Sequence, residues 1–251
     1  MSVLAQFIFS LVVLQMSAEI FAANQCSGNL CNQLPPRSCL DHLKRGSTSD
    51  GYYKIYNEDD DSLDSVYCDM VPDAAAAWTL VESFALSHKD EDPFRKHPLK
   101  VNAPVNEKSA NFNRYRMSQP QMSSLKSVST HWRATCSFPV YGIDGRDQAR
   151  SNFKDFDIMT YIGVGVCKKM EYVNIRGHKC GKCTARWWAV LNAYSLHIDS
   201  SFAGCEFVPT VGAVASEDNF GHPQFINPNF RCHENANSTT NWWFGGYQCS
   251  E

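Results

Sequence analysis

Beyond its first residues the chain has no apolar run long enough to cross a bilayer. That excludes an internal helical anchor and leads to the expectation of a secreted product with no membrane attachment after its leader is cleaved. It has no marked excess of charge of either sign, with 23 Lys and Arg against 26 Asp and Glu. So even a balance argues against bulk nucleic-acid binding. It has no Gly-x-Ser-x-Gly elbow, no His-Glu-x-x-His helix and no phosphate-cradling loop. Gly163-Val164-Gly165 lacks the third glycine and the acidic partner of a dinucleotide fold. The histidines are scattered, and the carboxylates are too plentiful to nominate an acid/base pair. The expectation is a protein that is not an enzyme.

What is present begins with a targeting segment. Leu4, Ala5, Phe7, Ile8, Phe9, Leu11, Val12 and Val13 make a short apolar run, and Ala22 and Ala23 supply small residues for cleavage. Residues 1–22 read as a signal peptide, although no Lys or Arg precedes the run. A membrane-anchoring start is the alternative. The rest is long enough for one large domain with a sizeable core. Eleven cysteines suit an oxidising, extracellular compartment. Because that number is odd, either one thiol stays free or one cysteine joins a second chain as a disulfide-linked oligomer. Residues 23–37 hold Cys26 and Cys31, which pair either with each other or between chains, and Pro35-Pro36 marks a boundary.

Residues 38–78 read as one supersecondary unit. Ser38 is an N-cap and residues 39–45 a short helix with Leu40 and Leu43 on one side. Lys44 and Arg45 suit its C-terminal dipole, and Gly46 its C-cap. Residues 51–56 and 65–70 read as paired strands, and residues 78–84 as a third. Cys39 and Cys68 tie the helix to the second strand, a closure worth roughly 3–4 kcal/mol in the chain-entropy account.

The residues Ser38-Cys39, Gly51-Tyr52-Tyr53, Val66-Tyr67-Cys68-Asp69-Met70 and Trp78-Thr79 together resemble the opening of fibrinogen C-terminal-like domains. Where that family carries glycines before the Trp, this chain has Ala74-Ala75-Ala76-Ala77. Alanine resists positive φ, so a changed turn is expected there. No heptad pattern precedes residue 38, so the coiled-coil stalk common in the family is not expected.

Further along, residues 89–113 read as a long surface segment, and residues 118–125 as a short helix capped by Ser118 with Met122 and Leu125 inward. Residues 131–138 alternate as a half-buried strand, with Trp132, Ala134, Cys136 and Phe138 on one face. This helix and the His131-Trp132-Arg133-Ala134-Thr135-Cys136 run are similar to fibrinogen-like proteins of cnidarians and other marine invertebrates. Some of those occur in the organic matrix of coral skeletons. Residues 186–191 read as a core strand whose Trp187 and Trp188 face opposite ways.

Several clusters are candidate sites. Glu58, Asp59, Asp60, Asp61 and Asp64 crowd a hairpin tip, where hard oxygen ligands suit weak, multisite Ca²⁺, a mineral surface or a polycationic partner. They do not match an EF-hand loop, and a solvated acidic turn is the plainer reading. Cys180-Gly181-Lys182-Cys183 with His178 invites zinc, but no second knuckle stands at zinc-site spacing. Disulfides, with Cys136, Cys167 or Cys205 as partners, are expected instead, redox chemistry being a minor alternative. The family's calcium loop has only Glu217, Asp218 and Asn219 here, which makes its carry-over doubtful. The resemblance implies that Cys232 and Cys249 form the family's late disulfide. Between them lies Asn237-Ser238-Thr239, a glycosylation sequon at Asn237. Trp242 and Trp243, in an aromatic, Gly-rich stretch, suit glycan or acetyl-group recognition, or else a buried corner.

The expected fold is α+β, a fibrinogen C-terminal-like domain over residues 38–251. It comprises a small disulfide-tied N-terminal subdomain and a larger irregular one around an antiparallel sheet. The expected role is a structural component of an extracellular, calcified skeletal matrix, with matrix components, mineral or glycans as partners. A lectin-like recognition protein is the alternative.

Overall fold

The computed structural model describes residues 34–71 and 74–248. The expected signal peptide, Cys26 and Cys31 of the linker, and Cys249 lie outside the described residues. From Pro36 onward the chain forms one unit. Among the described residues no helix is long and apolar enough to cross a membrane.

Local chemistry sets the first elements. Helix α1 (Cys39–Lys44) starts where the Ser38 hydroxyl accepts the Asp41 amide at 3.1 Å. It ends in a Schellman arrangement. Ser47 N–H donates to the His42 carbonyl at 3.0 Å, and Gly46, at φ 93°, donates to Leu43 at 2.9 Å. Strands β1 (Gly51–Asn57) and β2 (Ser62–Val71) form an antiparallel hairpin, and β3 (Ala76–Ala85) continues it. The disulfide between Cys39 and Cys68 clips α1 onto β2, with both residues fully buried.

The alanine run divides at Ala75. Ala75 takes the left-handed conformation, φ 47°, while Ala76 and Ala77 already belong to β3. So the backbone keeps a turn that glycine would adopt more easily.

The remaining strands are β4 (Arg114–Arg116), β5 (His131–Cys136), β6 (Gln148–Asn152), β7 (Gly163–Ile175), β8 (His178–Val190), β9 (Tyr194–Asp199), β10 (Asp218–Asn219) and β11 (Thr239–Tyr247). They lie in the order β1-β2-β3-β11-β5-β6-β7-β8-β9-β10, with β4 beside β3. All of these strand pairs are antiparallel. Helices are few and short: α2 (Asp92–Arg95), α3 (Gln119–Ser127) and α4 (Phe138–Tyr141) follow α1. The mostly antiparallel, disulfide-bonded α+β architecture agrees with expectation. The division into two subdomains does not appear. Strand β11, last in sequence, pairs with β3 on one side and β5 on the other, so both halves share one sheet.

That position buries strands on both faces. On one face Trp132 meets Trp187 at 5.7 Å, Trp242 at 5.8 Å and Phe156 at 5.4 Å between ring centres, and its indole N–H donates to the Phe156 carbonyl at 2.8 Å. On the other face Trp243 packs on Phe138 at 4.7 Å, beside Tyr67 and Phe112. The expectation of a half-buried β5 is therefore corrected. Arg133, on its supposed polar face, is buried in an ion pair with Asp69 and lies 4.5 Å from the Trp78 ring and 4.9 Å from Trp243. Removal from water is tolerable for a guanidinium when a carboxylate and aromatic faces replace the solvent.

Residues 89–113 also differ from a plain surface segment. Phe94, Leu99, Val105 and Ala110 are buried. What holds this segment is Arg116, at 1% exposure, whose guanidinium donates to Glu82 at 2.7 Å. It also donates to the carbonyls of Pro93, His97, Pro98 and Val101 at 2.7 to 3.0 Å. One side chain thus satisfies four loop carbonyls that would otherwise be desolvated without a donor.

Two predictions follow from this packing. Ala75→Gly relieves a left-handed alanine and is expected to stabilise the fold by about 0.5–1 kcal/mol after the added unfolded-state entropy is subtracted. Urea titration checks it, and a loss of stability would contradict the turn. Arg116→Met strands the Glu82 carboxylate and the loop carbonyls, and should cost about 3–5 kcal/mol. Adding Glu82→Leu should recover part of that loss, whereas a single-variant cost under about 1 kcal/mol would deny Arg116 its organising role.

Candidate functional site

The carboxylates of the hairpin tip do not converge. Glu58 reaches Arg37 at 3.5 Å and Ser124 Oγ at 3.1 Å. Asp60 pairs with Lys108, a hydrogen bond that holds its carboxyl below the usual range, and takes Ser62 Oγ at 2.7 Å. Asp61 accepts the Tyr56 hydroxyl at 2.8 Å. Asp64 is buried and accepts the Asn57 amide at 2.7 Å. Asp59 is exposed beside them, its backbone N–H on Asn57 Oδ1. Asp60 and the buried Asp64 share Lys108 and the Ser62 hydroxyl, while the exposed Glu58 and Asp61 are tied to other partners. Among the described residues no three His, Cys, Asp or Glu side chains gather around a common point.

The aromatic candidates are corrected outright. Trp242 and Trp243 are 2% and 0% exposed, so neither offers a face to a ligand. They point to opposite sides of β11, and both faces of the strand are covered at these positions. The implied late disulfide is corrected as well. Cys232 is joined to Cys136, with Cα atoms 4.5 Å apart. The register brings the end of β5 beside the loop that leads into β11, which makes Cys136 the available partner. Cys167 pairs with Cys205, and Cys180 with Cys183, so the Cys-x-x-Cys thiols are bonded to each other. Asn237 stands exposed in the turn before β11, as a glycosylation acceptor requires.

Around β9 and β10 the structure assembles a constellation that sequence reading overlooked. Glu217 is fully buried and is no cation ligand. It pairs with Arg176, accepts the Asn219 and Asn227 side-chain amides at 2.7 Å each, and takes the Val214 N–H at 3.1 Å. Asp218, next to it, accepts the Gln224 and Phe225 amides at 3.1 and 3.2 Å through one oxygen. Its other oxygen lies 3.5 Å from His197 Nε2.

The protonation of this pair follows from its neighbours. His197 Nδ1 is 2.8 Å from the Ser195 carbonyl, which accepts only, so that nitrogen carries the proton. Nε2 then presents a lone pair to Asp218. Burial pushes the Asp218 carboxyl up to about 7 and pulls His197 down to about 3. At mildly acid pH a neutral carboxyl faces a neutral imidazole, and the carboxyl holds the proton between them. His222, likewise lowered by burial, sets its Nδ1 2.8 Å from the Arg95 carbonyl, and its ring lies 5.2 Å from His197.

Aromatic side chains form the outer edge. Tyr194 meets His222 edge-on at 4.7 Å, Trp188 stacks on His197 at 6.0 Å, and Phe202 leans on Trp188 at 5.3 Å. Tyr194 and Phe202 are 43% and 47% exposed. Tyr194 and Phe202 thus form an exposed aromatic edge, while His197, Asp218 and His222 behind it are buried and partnered within the fold. No motif spacing announced it, because its members come from five separate stretches of chain. The one legible signal was the cluster of Glu217, Asp218 and Asn219. No family model matches the chain, and comparison with curated proteins finds no similar sequence.

The titration of Asp218 is testable. Its folded-state value lies above its unfolded value of 3.8, so the stability it contributes is complete below that pH and is lost as pH rises through about 7. Asp218→Asn removes this dependence. The variant should gain on the wild type by up to about 1.4 kcal/mol per pH unit between roughly pH 4 and 7, and hold level above. Urea titrations at unit steps of pH measure the difference, and parallel curves would contradict a buried, proton-holding Asp218.

Proposed function

We propose that this chain is a secreted, non-enzymatic structural domain of an extracellular matrix, of the fibrinogen C-terminal-like kind, with a calcified skeletal matrix as its setting. The observation that carries the reading is the set of disulfides: Cys39 with Cys68, Cys136 with Cys232, Cys167 with Cys205 and Cys180 with Cys183. Such a set forms and persists in oxidising, extracellular surroundings. The apolar start of the chain and the exposed Asn237 sequon agree with export. The exposed array of Glu58, Asp59, Asp60 and Asp61 supports contact with calcium ions of a surface, or with a cationic matrix polymer, rather than enclosure of one ion.

A second reading, lectin-like glycan recognition, is supported by the exposed aromatic edge of Tyr194 and Phe202. Fractionation of the source tissue separates the two. The structural reading expects the protein in the insoluble matrix, released only when mineral is dissolved or disulfides are reduced. Recovery from soluble fluid alone overturns it. A glycan array run with wild type and Tyr194→Ala addresses the second, which requires binding that the variant loses. No binding with or without Ca²⁺ removes it.

A further inference from the structure

We infer that the Cys180–Cys183 disulfide is an exchange site for thiols, with Cys180 as the sulfur attacked. Cys180 pairs with Val173 and Cys183 with Met170 across the β7–β8 ladder, so both ends of the short Cys-Gly-Lys-Cys stretch are already held without the bond. Residues three apart on a regular strand face opposite sides. Bridging them therefore requires the strand to turn over, and Lys182 does so with a left-handed φ of 52°. An L-residue in that conformation bears a cost that opening the disulfide releases.

The bond also does the least for the fold. It closes a sequence separation of 3, against 29, 96 and 38 for the others among the described residues. The entropy that a disulfide removes from the unfolded chain grows with the loop it closes, so this one is the least needed. Access is one-sided. Cys180 is half-buried and Cys183 buried, while Lys179, Gly181 and Lys182 are exposed around them. The two ammonium groups favour the approach of an anionic thiolate.

The step balances without a further reagent. An incoming thiolate attacks Cys180 Sγ, and a new sulfur–sulfur bond forms. The Cys180–Cys183 bond breaks, and its electron pair leaves on Cys183, which takes a proton from water. The incoming sulfur is oxidised and Cys183 is reduced. Cys183, buried behind the mixed disulfide, can reverse the step and release the thiol.

The inference goes beyond the scaffold reading and rests on it only for its starting state, a closed disulfide in secreted protein. Protein recovered from culture medium is equilibrated with glutathione buffers of graded potential, trapped with iodoacetamide and mapped by mass spectrometry. The expected result is a glutathione adduct on Cys180 and alkylation of Cys183 before any other cysteine of these pairs, with tryptophan fluorescence unchanged. Lys182→Gly accepts the left-handed φ freely, and should make opening about tenfold less favourable. Opening of Cys167–Cys205 first, opening only together with loss of the folded signal, or no effect of Lys182→Gly would each overturn the inference. Free Cys180 and Cys183 thiols in freshly secreted protein would overturn the compartment reading along with it.

Discussion

The structure depends on one placement, that of β11 between β3 and β5. These strands are far apart in sequence, and β11 is the piece that makes them neighbours. Its close fit is built from small residues as well as large ones. At Gly245 any side chain would collide with the Ala77 carbonyl, so the ladder closes there only because no Cβ is present. From this strand the two faces of the core diverge. Trp242 joins Trp132 and Trp187 on one side, and Trp243 joins Phe138 and Phe112 on the other. A sheet joined by its last strand is non-local in origin, and its formation must wait until β11 is available.

Because the central strands are covered on both sides, polar groups that they carry must find partners inside. The structure meets this with paired charges rather than by excluding charge. Arg133 of β5 pairs with Asp69 of β2, Arg116 of β4 with Glu82 of β3, and Arg176 after β7 with Glu217 before β10. The Arg116 and Arg176 forks also donate to several loop carbonyls, which lysine does not match at a fixed geometry. The β9–β10 region uses another solution. There His197 and Asp218 are kept uncharged, and the desolvation cost is avoided by holding one proton between them instead of separating charge. The same neutral groups are buried behind the exposed Tyr194, whose ring meets His222 and His197.

Local elements were legible where a short stretch carried its own stop and start signals. Ser38 and Gly46 announced α1, the strand-forming residues 51–56 and 65–70 announced β1 and β2, and Ser118 announced α3. The Cys39–Cys68 bond was legible because both cysteines sit within that one unit. Polarity misled where a strand lies centrally: the pattern of residues 131–138 suggested one wet face, yet Arg133 and Thr135 are buried. Mixed charge misled over residues 89–113, whose backbone is gathered by an arginine from β4 that nothing in the segment itself foreshadows.

By itself the sequence determined the disulfide-bonded, α+β character of the protein, and the capped helix and hairpin at its start. Those follow from composition and from residues close along the chain, whose periods and caps act over a few positions. Tertiary structure alone decided which cysteine meets Cys232, that Trp242 and Trp243 are core, and that His197, Asp218 and His222 gather beneath Tyr194. These outcomes depend on which strands become neighbours in space. A side chain's exposure, its partner and its proton are set by what packs against it, and that neighbour is often more than a hundred residues away along the chain, as Thr135 is from Trp243.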